Sequence, residues 1–166
     1  MLDVREFAYA KLEEAKEIFR RENVLVPTGY LIKPDGTSEV YMLLGESKKA
    51  WRKVTNDFKR AARDAKAIAT ITIRGCTFQA FPPWEKEGSR SKKKQTPQWL
   101  REAIEAGSGK CVSMDIEVPG QPTINVMVPY SFTKTGEIKF EAAEEGPLDF
   151  KGPAPPESRE EEGPLN

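Results

Sequence analysis

Apolar residues along this chain alternate between two periods, and the changes of period mark out its elements. Val4, Phe7, Ala8, Leu12, Ala15, Ile18 and Phe19 recur at helical spacing among charged neighbours, which predicts an amphipathic helix over residues 4–21 with Asp3 as its cap. Two extended runs follow, residues 24–32 and 39–44, on either side of Lys33-Pro34-Asp35-Gly36. Proline presets that turn and glycine accepts a positive φ, so the runs read as a hairpin. Alternation puts Tyr30 and Ile32 on one face and Leu31 on the other, with Val40, Met42 and Leu44 alternating on the second strand.

Ser47 is placed to cap a second helix that runs to about residue 66, with Trp51, Val54, Phe58, Ala61, Ala62 and Ala65 as its apolar stripe. Its other face carries Lys49, Arg52, Lys53, Lys59, Arg60 and Arg63, which reads as simple solvation. The period then returns to two. Residues 67–81 contain Ile68, Thr70, Ile71, Thr72, Ile73, Thr77, Phe78 and Phe81, β-branched or aromatic side chains that suit a pleated surface, and they predict the central strand. Gly75 within it marks a bulge or a close approach.

Pro82-Pro83 ends that strand, and residues 84–95 form a polar loop. Thr96-Pro97 opens a short helix to residue 106, with threonine as cap and proline at the first helical position, and Gly107 closes it. Residues 110–118, 124–130 and 137–142, divided by turns at Pro119-Gly120-Gln121-Pro122 and Thr135-Gly136, predict a three-stranded antiparallel meander. The fold expected is one α+β domain over residues 1–143: a mainly antiparallel sheet of about six strands, two longer helices packed on one face and one short helix.

Residues 144–166 form an acidic tail rich in Pro and Gly, a composition expected to be disordered. In it Glu144-Glu145-Gly146-Pro147-Leu148 recurs as Glu161-Glu162-Gly163-Pro164-Leu165, a duplication that suits either chance in a biased tail or a binding motif for a protein partner. The tail also explains the charge. All 166 residues carry 26 basic and 26 acidic side chains, and removing the tail leaves 24 and 19.

The composition removes whole classes of chemistry. With no histidine and two cysteines, neither a Cys/His zinc site nor a Ser-His-Asp or Cys-His system can be assembled, so the chain is not expected to be an enzyme and no cofactor is implied. Cys76 and Cys111 fall in strands and read as small hydrophobes. The N-terminus is too charged for a signal peptide and no apolar run approaches the roughly 18 to 20 residues of a membrane span. A cytoplasmic protein without membrane partners is expected.

Three segments carry candidate chemistry. In the first, Lys86, Arg90, Lys92, Lys93 and Lys94 lie between Trp84 and Trp99, Arg101 follows two residues later, and Thr96 stands at a helix start. Cations beside aromatic rings can hold a phosphate and stack a base, and a helix N-terminus adds backbone N–H groups. The second is Asp115 and Glu117, two apart on one strand face and so weak metal candidates. The third, Gly107-Ser108-Gly109-Lys110, lacks the earlier glycine and the Ser/Thr of a phosphate loop and reads as a helix end.

The function expected is non-catalytic binding, possible sequestration included, of an anionic, phosphate-bearing small ligand such as a nucleotide or nucleotide-derived signal. The alternatives are a protein-interaction module that uses a sheet edge or the tail, then a nucleic-acid-binding protein, with an enzyme using carboxylates alone a distant fourth; the edges of the sheet also make a homo-oligomer an expected partner state.

Overall fold

Asp3 accepts a hydrogen bond from the Glu6 N–H at 3.1 Å and starts helix α1 (Val4–Glu22) in the computed structural model, which describes residues 2–79 and 96–147. The Lys33–Thr37 turn, closed by the Gly36 N–H on the Lys33 carbonyl at 2.9 Å, joins β1 (Thr28–Ile32) to β2 (Ser38–Met42). The Ser47 hydroxyl accepts from the Ala50 N–H at 3.1 Å and caps α2 (Lys48–Asp64). Then come β3 (Ala69–Gln79), α3 (Gln98–Ala106), β4 (Ser108–Glu117), β5 (Ile124–Phe132), β6 (Ile138–Phe140) and β7 (Glu144–Pro147).

All pairings are antiparallel, in the order β2-β1-β3-β4-β5-β6, and β7 continues along β5 beyond the end of β6. This is a single α+β domain with β3 inside the sheet. The β3–β4 register runs unbroken through Gly75, so no bulge lies there. The irregularity is elsewhere: Tyr130 opposes Phe140 but Met127 opposes Glu144, a slip of one residue that makes residues 141–143 a bulge between β6 and β7. β7 lies within the segment that the sequence assigns to the tail, and the remainder of that tail is outside the described residues.

The core forms where alternation aligns apolar side chains across strands. Ile32, Ile71, Ile73, Val112, Met114, Ile116, Val126 and Val128 share one sheet face, and Ala8, Leu12 and Phe19 of α1 close over it. Phe19 meets the Tyr130 ring edge-on at 5.0 Å. Arg5 grips both carboxylate oxygens of Glu145 at 2.6 Å, and the Tyr9 hydroxyl donates to the same group, so the start of α1 is tied to β7.

The expectation that both longer helices share a face needs correction. Tyr30 contacts Phe7 of α1 at 6.0 Å between rings, whereas the adjacent Gly29, which points the other way, lies under Phe58 of α2. A Cβ on Gly29 would fall 2.7 Å from the Phe58 ring, so the missing side chain provides the seat for α2 on the opposite face. Two smaller expectations also change. Ile18 is off the buried stripe at 42% exposure, and Pro97 rather than Thr96 occupies the cap position of α3. Gly107 does end α3, its N–H on the Ile104 carbonyl at 3.1 Å. Among the described residues no helix is long and apolar enough to cross a membrane.

Candidate ligand-binding cleft

Phe58 fixes the position of α2, and what α2 then overhangs becomes the candidate site. The ring sits on Gly29 and 5.4 Å from the Tyr41 ring, which anchors the helix over β1 and β2. The last two turns of α2 therefore stand beside the sheet face formed by β3 and β4. Between them lies a cleft of about 460 Å³, with Lys59, Arg63 and Lys66 along one wall and the turn at Val118, Pro119, Gly120 and Gln121 along the other. Thr70 and Thr72 line it, and Leu43, Phe58 and Ala62 give it an apolar part. A volume of this order lies within the roughly 300–1,000 Å³ of small-molecule sites.

Lys59 and Arg63, four residues apart, share one side of the end of α2, and Lys66 lines the same cleft. Lys66 is just past the helix, where the chain closes with a paired turn. Its N–H donates to the Arg63 carbonyl at 3.0 Å and the Ala67 N–H to the Ala62 carbonyl at 2.9 Å. That motif puts Lys66 in the left-handed region at φ 52°, where glycine is the favoured residue. A lysine is thus held at the cleft against its backbone preference.

A polar ladder continues from the cleft along the same sheet face. The Thr70 hydroxyl donates to Glu117 at 3.2 Å, and the Asn125 side-chain N–H₂ donates to Asp115 at 2.7 Å and to Ser113 at 3.0 Å. The Arg74 guanidinium lies 5.5 Å from the centre of the Trp51 ring. Burial pushes the Asp115 carboxyl above its ordinary range, against the opposing effects of Asn125 and Arg74. The folded state therefore holds this proton longer than the unfolded one. The stability involved is present below the unfolded carboxyl pKa of about 4 and is lost as pH rises through the higher folded value. Asp115→Asn keeps an acceptor for Asn125, so this variant is expected to melt higher than the parent at neutral pH and level with it at acid pH, read from Tm against pH.

Asp115 and Glu117 do share a face, as their spacing implies, but among the described residues no group of three or more Cys, Asp or Glu gathers to hold a metal. Of the basic-loop candidates, Trp84, Lys86, Arg90, Lys92, Lys93 and Lys94 lie outside the described residues. Thr96 is buried, Trp99 is half-buried and Arg101 is exposed. Trp99 and Arg101, two apart on α3, point in different directions. Their helix feeds the start of β4, whereas the cleft is at Glu117, its last residue, about 30 Å away at strand spacing.

Lys59 and Arg63 were legible only as part of a charged helix face. The four- and three-residue spacing to Lys66 was the available signal, but the burial of Phe58 on Gly29 was needed to show which way that side turned. In comparisons with protein-family models, curated proteins and solved structures the chain matches none, so its functional reading rests on this geometry.

Proposed function

We propose that the protein binds a small phosphate-bearing ligand with an apolar or ring portion, such as a nucleotide, in the cleft between α2 and the sheet, and holds it without transforming it. The observation that carries this reading is Lys66, kept in a left-handed conformation in the lining of a cleft that Lys59 and Arg63 also line. Strained backbone of this kind concentrates at functional sites. Three cations would meet the phosphate oxygens, the threonine hydroxyls would complete their hydrogen bonds, and Leu43, Ala62 and Pro119 would face the apolar part. Glu117, on the cleft's sheet side, would disfavour anionic groups there and so orient the ligand with its phosphate toward α2.

Lys66→Gly separates binding from folding. Glycine relieves a backbone cost of about 1 kcal/mol, so the variant is expected to melt about 2–4 °C higher. It also removes one cation, worth about 1 kcal/mol, so its affinity for ADP is expected to fall about fivefold by calorimetry. A variant that is both more stable and equally tight would remove Lys66 from the site. Recovery of intact nucleotide from the denatured complex is the result expected of a holding protein, and recovery of a cleaved product would replace this reading with a catalytic one.

A further inference from the structure

We propose that two copies of this chain associate through antiparallel pairing of their β2 strands about a two-fold axis at Val40, which joins the two sheets into one. The direction of the backbone groups carries the inference. The Lys33 N–H donates to the Thr37 carbonyl and the Leu43 N–H to the Pro27 carbonyl, both at 2.8 Å, so residues 37 and 43 direct their groups toward β1. Antiparallel alternation gives Glu39 and Tyr41 the same direction and turns the N–H and C=O of Ser38, Val40 and Met42 outward. β2 is the terminal strand of the sheet, so no described strand meets that outward row.

Two of those three residues, Val40 and Met42, carry apolar side chains. Val40 is 63% exposed, Met42 65%, and Leu44 just beyond them 55%. An apolar edge strand with an open ladder is a template for another strand. The far edge of the sheet offers no equivalent: β6 has three residues, a bulge follows it, and Lys139, Glu144 and Glu145 charge it. Pairing of β2 with the far edge would build an open filament, whereas β2 with its own copy closes as a dimer.

The strand is complementary to itself. With Val40 opposite Val40 of the second copy, those two residues exchange a pair of hydrogen bonds, and Ser38 opposite Met42 at each end adds the rest. Glu39 then faces Tyr41 of the second copy rather than another acid. Its charge is already met by Lys33 at 2.5 Å, and it accepts from its own Tyr41 hydroxyl at 2.9 Å. A two-fold axis at Tyr41 would lose one pair of outward hydrogen bonds and set Glu39 against Leu43. Five residues a side make a small interface, so the dimer is expected to be concentration-dependent, with a Kd of about micromolar order.

Sedimentation equilibrium of the full chain tests this. The mass is expected to climb from 18.6 kDa toward twice that value as concentration rises. Val40→Pro removes an outward N–H and no bond to β1, and Val40→Lys places a charge at the axis. Each is expected to weaken association at least about tenfold, with the circular dichroism spectrum unchanged. If Val40→Pro unfolds, Val40→Lys decides alone. A chain that is monomeric at every concentration, or a dimer that Val40→Lys leaves intact, would overturn the proposal.

Discussion

Replacing Lys59, Arg63 and Lys66 together by alanine is expected to weaken ADP binding about a hundredfold while the protein remains folded. Each residue lines the cleft from the end of α2, and none belongs to the buried core. The loss of about 1 kcal/mol for each charge-assisted hydrogen bond makes up that factor. Removing three cations also removes attraction at longer range, so the parent's affinity should fall with added salt and the variant's should change little. Calorimetry at two salt concentrations measures both effects. Equal affinities of parent and variant would move the ligand elsewhere, with the basic stretch from Lys86 to Lys94 the first place to look.

The largest effect on stability is expected from Gly45→Ala. A Cβ at residue 45 would fall on the backbone nitrogen and Cα of Trp51, in the first turn and a half of α2. Backbone cannot rotate away as the end of a side chain can. Either the segment between β2 and α2 shifts or the helix start does, at a cost of about 3 kcal/mol. For a chain of this length that corresponds to a Tm lower by about 10 °C. Gly45→Ala also bears on the site, since a displaced α2 would carry Lys59 and Arg63 with it. Thermal melting followed by circular dichroism gives the first number, and ADP affinity well below the melting range gives the second. A variant that melts with the parent would mean that the turn into α2 accommodates a side chain freely.

Local structure was legible in the sequence to the extent that local physics decides it. Caps at Asp3 and Ser47, the Pro34-Asp35-Gly36 turn, the alternation of Ile71 and Ile73 with Thr70 and Thr72, and the meander of β4, β5 and β6 all follow from neighbours within a few residues. The side of the sheet that α2 covers does not follow from them. It depends on Gly29, whose lack of a side chain opens a seat for a ring 29 residues later in the chain, and a glycine in a strand does not announce what will lie over it. β7 was hidden for a different reason. Its Glu-Glu-Gly-Pro composition disfavours a strand, and it is held there by β5 and by Arg5, which lies 140 residues before its carboxylate partner.

The cleft was concealed by both effects. A row of cations on an amphipathic helix is ordinarily a solvated face, and only the placement of α2 on Gly29 brings Lys59 and Arg63 beside Thr70 and Thr72. The cleft lies at the end of the β3–β4 pair where Thr70 opposes Glu117, whereas Gln79 opposes Ser108 at the other end. The cleft and Gln79, the last described residue before the basic stretch, are thus at opposite ends of one strand pair, and a mapping experiment can tell binding in the cleft from binding by that stretch.

That experiment is an amide NMR titration of the full chain with ADP, followed residue by residue. The proposed function predicts shifts that saturate at residues 59–67, at Thr70 and Thr72, and at the Gly120-Gln121 turn, with the α1 face of the sheet unmoved. Shifts confined to residues 84–101, or none at any of these positions, would contradict a phosphate-binding site in the cleft between α2 and the sheet.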